Sequence, residues 1–238
     1  MVVVKVTPWF STLRLFAQLG VKGKGDGMAS ARRIGAPEAK NRGVLLDAAE
    51  QLMLDEGYAA VTSRRVAEKA GLKPQLVHYY FRTMDDLFEA IFRRRAKQGL
   101  MAQQLALQSE QPLWNLWRFN TDPAGTRLTM EIMGLANHRK ALRSEIAYYA
   151  ELFREQETKA FTAALERYGA TVDDVPPVVW AVFATSLSRV LVMEQELGMS
   201  SGHDETLAFV DVWLRRLEGD PLPMPDFAAL MGVADEDD

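Results

Sequence analysis

From Ala39 onward, apolar residues recur at the three- and four-residue spacing of a helix face, and the period-two alternation of a half-buried strand is missing between turn signals. That pattern confines the chain to an all-α fold. The spacing predicts helices over 39–56, 63–70, 74–80 and 83–108, with Gly57 and Gly71 as stops, Thr62 as an N-cap and Pro74 at a first helical position. Thr83-Met84-Asp85-Asp86 supplies a capping pattern for the fourth. Further on, Pro112, Asp122-Pro123, Gly169, Pro176-Pro177 and Gly198 to Gly202 cut the chain into helical segments at 112–120, 125–137, 139–168, 177–197 and 204–218.

With 48% apolar and 25% charged residues in 238, the chain has enough apolar surface for a packed core, and wholesale disorder is excluded. No run approaches the roughly 20 consecutive apolar residues of a spanning helix, so no membrane role is expected. The absence of cysteine removes disulfides and thiolate chemistry and fits a reducing, cytoplasmic setting. His78, His138 and His203 lie far apart and form no HExxH-type pair, so no metal and no cofactor is expected. A helical enzyme using Glu131, Glu145 or Glu151 with His138 is the competing reading, but no two of these sit at a recognised catalytic spacing, and no catalytic residue is assigned.

Charge is uneven along the chain. Residues 1–27 hold 4 basic and 1 acidic side chains, residues 28–97 hold 13 and 9, and residues 98–238 hold 11 and 22. Only the N-terminal part suits a polyanion. Residues 1–27 combine Val2-Val3-Val4, Trp9, Phe10, Leu13 and Phe16 with a Gly-Lys-rich stretch. They lack the uninterrupted core of a signal peptide, and Gly23-Lys24-Gly25 lacks the Ser or Thr of a phosphate loop, so a flexible leader with Met28 as the working start is expected. The expected organisation is a leader and arm at 1–38, a three-helix DNA-binding domain at 39–85, a larger helical ligand-binding and dimerisation domain at 86–220, and an acidic tail at 221–238.

Two short helices around Gly71 make a helix-turn-helix pattern. Arg64 and Arg65 stand in the first turn of one and Lys73 at the start of the next, where carboxylates are normally favoured. Such local violations are expected where function demands them, and three cations at two positive helix ends make a phosphate-binding surface. In Pro74-Gln75-Leu76-Val77-His78-Tyr79-Tyr80-Phe81, Val77 and Phe81 can face the core while Gln75, Leu76, His78 and Tyr79 point outward. Gln can read adenine, Leu can meet a thymine methyl, and His and Tyr suit phosphates.

Leu45 to Phe92 resembles the DNA-binding domain of the TetR family of bacterial transcriptional regulators. The residues that carry the likeness are Ala48-Ala49, Gly57-Tyr58, Val61-Thr62, Val66-Ala67, Ala70-Gly71-Leu72, Val77 to Phe81 and Thr83 to Leu87. The resemblance implies phosphate contacts from Thr62, Arg64, Lys73, His78, Tyr79 and Thr83, and base contacts from Pro74, Gln75 and Leu76. Met84 departs from a lysine frequent at that position in the family, and Arg82, in place of a common proline or asparagine, is placed to supply the missing charge.

The resemblance also implies an inducer pocket among the middle helices, for which the large side chains Trp114, Trp117, Met130, Met133, Tyr149, Phe153, Trp180 and Phe183 are candidates. The last two helices, with Val182, Val190, Phe209 and Trp213, resemble the pair that forms a four-helix dimer bundle in that family. The expectation is a homodimeric repressor on a double-stranded, inverted-repeat operator, released by a small apolar molecule. A helix-turn-helix adaptor that never meets DNA is the remaining alternative.

Overall fold

A computed structural model describes residues 40–169 and 175–223; the leader expected at 1–38 and most of the acidic tail lie outside these. Nine α-helices and one 3-10 turn carry the described residues, with no strand among them. They are α1 (Lys40–Glu56), the 3-10 turn Tyr58–Ala60, α2 (Ser63–Lys69), α3 (Pro74–Tyr80), α4 (Met84–Leu107), α5 (Pro112–Asn120), α6 (Pro123–Ala136), α7 (Lys140–Tyr168), α8 (Pro177–Glu196) and α9 (His203–Glu218).

The expected punctuation acts as local physics requires. Gly57 takes φ 82° after α1, and Gly71 takes φ 64° between α2 and α3, a region that costs a residue with a Cβ about 1 kcal/mol or more. Thr62 accepts the Arg65 N–H through its hydroxyl, capping α2. Thr83 and Asp86 cap α4 reciprocally: the Thr83 hydroxyl oxygen accepts the Asp86 N–H and the Asp86 carboxylate accepts the Thr83 N–H, both at 3.1 Å. The buried Asp122 accepts the Gly125 N–H at 2.7 Å, so α6 begins at Pro123 rather than at 125.

Contacts divide the chain into two compact units. The first, among the described residues, is 40–97 with 127–147. Its core joins Leu45, Leu52 and Met53 of α1, Val66 of α2, Val77 of α3, Leu87 and Ile91 of α4, Leu128, Ile132 and Leu135 of α6, and Leu142 of α7. Residues 86–97 and 127–147 therefore pack with the helix-turn-helix, although the sequence pattern groups them with the body. Truncating Leu87 or Ile91, both fully buried, to Ala is expected to cost about 2–5 kcal/mol. Ion pairs reinforce the core: Glu50 of α1, 5% exposed, receives Arg94 and Arg95 of α4, and Asp47 receives Arg94 at 2.7 Å.

The second unit holds residues 98–126, 148–169 and 175–223 of those described. Its cluster combines Leu113, Trp114 and Leu116 of α5, Phe161 and Ala164 of α7, Ala181 of α8, and Val210 and Leu214 of α9. Glu218 at the end of α9 accepts the N–H groups of Leu113 and Trp114 at 3.0 and 2.9 Å, satisfying donors that α5 leaves open at its start. The Trp114 indole N–H donates to the Gly219 carbonyl at 3.1 Å and the Tyr168 hydroxyl donates to Glu218 at 3.1 Å, fastening α5, α7 and α9 together. α8 is more apolar than the sequence reading allowed, long and apolar enough by length and composition to cross a bilayer. One side of α8 is spent on the core through Ala181, Leu191 and Val192, while Val178, Val182, Phe183 and Val190 are exposed.

Candidate nucleic-acid interface and effector hollow

α2 and α3 present the chemistry expected at a phosphate-bearing surface. Neither helix has a carboxylate in its first turn, whereas α4 has Asp85 and Asp86. Arg64 is exposed and Lys73 is exposed at the N-cap of α3. Arg65, grouped with them on sequence, is held instead by Glu56 at 2.6 Å, and this contact raises its pKa. Lys69 is likewise spent on Asp55 at 3.1 Å. The cationic surface is narrower than the charge count suggests.

On α3, Pro74, Gln75, His78 and Tyr79 are exposed, and Val77 is buried. Leu76 differs from the outward orientation expected: it is half-buried and packs against the core together with Tyr80, because 76 and 80 extend the apolar face that Val77 and Phe81 begin. The Tyr79 ring meets Tyr80 edge-on at 5.0 Å, which orients its phenol. Arg82 and Thr83 are exposed just beyond the helix, and Arg42 of α1 stacks over Phe81 at 5.0 Å, its pKa lowered mainly by burial and further by Arg94 and Arg93. Thr62 and Thr83 both use their hydroxyl oxygens as helix caps, leaving the O–H proton free to donate.

Residues 45–91 match the description of bacterial regulatory proteins of the TetR family. Over that span the chain is similar to the helix-turn-helix domain of that family. The fold is shared with solved structures of low identity. E. coli NemR in its reduced form is 16% identical, with 77% of this chain and 100% of that one covered and a TM-score of 0.62. Salmonella enterica GusR is 16% identical over 78% of this chain and 98% of its own, at 0.58. SmeT in complex with triclosan is 18% identical over 78% and 99%, also at 0.58. No curated protein matches the chain.

Within residues 45–91, the turn between α1 and α2 is pinned from α6 of the same unit. The Glu131 carboxylate accepts the Tyr58 N–H at 2.7 Å, and a Cβ on Gly134 would stand 3.8 Å from the Tyr58 ring. A Cβ on Gly57 would stand 3.4 Å from that carboxylate. Sequence reasoning assigned Glu131 to a competing enzymatic reading. The structure instead gives Glu131 a backbone N–H and gives Glu145 the guanidinium of Arg93 at 2.8 Å, while Glu151 belongs to the other unit. Among the described residues no group of three or more His, Asp or Glu could hold a metal ion.

The second unit contains a hollow of about 620 Å³ between α5, α7, α8 and α9. Three of the candidate pocket residues line it: Trp117, Trp180 and Phe183. So do three residues assigned to dimer pairing, Val190, Phe209 and Trp213, along with Leu113, Phe161 and Leu187, which the sequence did not single out. The indoles of Trp180 and Trp213 stack at 5.6 Å and 16°. Among the described lining residues Ser186 supplies the one hydroxyl, beside the indole N–H groups of Trp117, Trp180 and Trp213. The other candidates lie elsewhere: Trp114 is buried in the core, Tyr149 is buried, and Phe153 stacks on Phe119 at 6.4 Å. Met130 and Met133 are exposed on α6 within the first unit, and Val182 is exposed on α8.

A buried polar centre also occupies this unit. Glu157, 3% exposed, accepts Gln103 at 3.1 Å and the Thr185 hydroxyl at 2.8 Å, with Arg154 at 3.5 Å. Burial pushes the Glu157 carboxyl up, against the lowering effect of Thr185, Arg154 and Asn120.

Proposed function

We propose that the chain is a transcriptional regulator that binds an inverted-repeat operator as a homodimer and is released from it by a small apolar molecule, which makes it a repressor. The observation that carries this reading is the outer face of α3, where Gln75, His78 and Tyr79 stand exposed beside Arg64 and Lys73, two cations with no ion pair among the described residues. Pro74 and Gln75 address base edges, and so does Leu76 by the outer part of its half-buried side chain; Thr62, Arg64, Lys73, His78, Tyr79 and Thr83 hold phosphates. Pairing of two chains matches a module that offers one reading helix each.

The apolar hollow supports the ligand half of the reading, because its aromatic walls suit a small hydrophobic molecule and give little to a charged one. SmeT, of the same fold, forms a complex with triclosan. Release requires the ligand to bind the DNA-free form more tightly than the DNA-bound form. The experiment is selection of bound duplexes from a random pool followed by sequencing. A dyad-symmetric site is the expected result, and recovery of no enriched duplex would refute the reading.

A further inference from the structure

The acid excess of residues 98–238 is not evenly spread. Residues 127–147 hold 4 Lys or Arg and 2 acids, whereas the rest of that span holds 7 and 20. It is this basic stretch that packs in the helix-turn-helix unit and not with the acidic body. Solubility would be served by either sign of charge, so it does not explain why the excess reverses in the one stretch that packs beside α4. Within it, His138, Arg139, Lys140 and Arg143 form a basic run with no acid between them, across the turn from α6 into α7.

Arg139 fixes where the run stands. Its guanidinium bonds to Asp85 in the first turn of α4 and lies over the Phe88 ring at 5.4 Å. Asp85 follows closely on Arg82 and Thr83, both exposed at the edge of the proposed phosphate surface. A cleft of about 300 Å³ results, with Asp85 and Glu89 of α4 on one wall and His138, Arg139 and Lys140 on the other. Asp85 is matched by Arg139, and Glu89 is half-buried. Lys140 and Arg143 are exposed, and neither has an ion pair among the described residues. Three apart on α7, they share a face. The Asn137 carbonyl accepts one Arg143 N–H at 2.9 Å, which orients the guanidinium and leaves it further donors.

We propose that the α6–α7 turn is a second phosphate-binding edge of this unit, where Lys140 and Arg143 hold the duplex backbone just outside each half-site. This rests on the DNA-binding reading above and extends the contact to an element beyond residues 45–91. The occupant is the same duplex, because the Arg139–Asp85 pair makes the run continuous with Arg82 and Thr83, and its charge complements a phosphate backbone. Such contacts set affinity and the length of DNA covered, and carry no base information.

The test compares two duplexes in salt titrations of the full chain. One is the inverted repeat recovered by selection, trimmed at its outermost selected base pair; the other carries about ten further base pairs, one helical turn, at each end. On the longer duplex, K140A/R143A is expected to lower the slope of log affinity against log salt by about 2 per chain, since each phosphate contact contributes about 0.9. On the trimmed duplex the variant should match the native chain, and selection with it should return the same sequence. The charge-keeping variant K140R/R143K is expected to retain the native slope on both. An unchanged slope for K140A/R143A on the longer duplex, an equal loss on both duplexes, or the same loss in K140R/R143K overturns the proposal and leaves the DNA-binding reading standing. A native chain that binds no duplex overturns that reading as well.

Discussion

Arg64 and Arg65 are neighbours in sequence with opposite fates, because α2 turns one toward solvent and the other back to Glu56 at the end of α1. Arg64→Ala should therefore weaken binding to every duplex by a similar factor and reduce the salt slope by about 1 per chain. Gln75→Ala should relax preference at one base pair per half-site by about 1–3 kcal/mol, checked by competition between single-substituted operators. At the buried Glu157, a raised pKa in the folded chain means that stability is fully present below the unfolded carboxyl value and falls as pH rises through the folded one. Glu157→Gln keeps one carbonyl acceptor for Gln103, lets the Thr185 hydroxyl accept from the amide N–H while it donates to the Ala181 carbonyl, and removes that loss. Melting temperature at pH 7 is expected to rise by about 2–4 °C, which corresponds to about 1 kcal/mol in a chain this long, and the gain should vanish near pH 4. An unchanged pH profile would show that Arg154 and Arg189, the two guanidinium groups whose charge lowers the Glu157 pKa, already neutralise the carboxylate.

Among the elements, the helices were legible because their ends announce themselves. Gly57, Thr62, Gly71, Pro74, Thr83, Pro112 and Pro177 are local signals, and each stands at a boundary or a cap in the structure. The outward face of α3 was readable for the same reason, since Val77 and Phe81 fix which side is buried. What was not legible depends on partners distant in sequence. The Glu131 latch joins residues 73 apart, and nothing local marks Glu131 as an acceptor for a turn. Met130 and Met133 read as pocket material by residue type, yet Leu128, Ile132 and Leu135 take the buried side of α6 and leave both outside. The hollow mixes pocket and pairing candidates because Trp180, Phe183 and Val190 of α8 and Phe209 and Trp213 of α9 line one space, a placement that periodicity does not encode. The latch itself makes a testable element: Glu131→Ala removes the acceptor for the Tyr58 N–H and should cost about 1–3 kcal/mol in urea unfolding, with faster amide exchange at Tyr58. Glu131→Gln retains a carbonyl acceptor and should lose less.

For the molecule as a whole, the division of charge would decide how a chain with the proposed function meets DNA. Residues 98–238 carry twice as many acids as bases, so their field opposes a polyanion, while residues 28–97 carry a basic excess. On the proposed reading, attraction comes from the basic excess of residues 1–97, which include α2 and α3, and the acidic remainder penalises any other approach. With six phosphate-contact residues proposed per chain, twelve in a dimer, affinity should fall between 50 and 200 mM salt by at least the order of 10³ to 10⁵ that 6–10 contacts give. A flat salt profile in a duplex-binding titration would point instead to an adaptor that recognises protein. The same experiment, repeated with an apolar molecule that quenches the Trp180 and Trp213 fluorescence, tests the ligand linkage. A ligand that binds the DNA-free form 100 times more tightly weakens operator affinity by the same factor, about 2.7 kcal/mol, and that loss should be independent of salt because no phosphate contact is exchanged for the ligand. A ligand effect that scales with salt would mean that the molecule acts at the α2–α3 surface and not in the hollow.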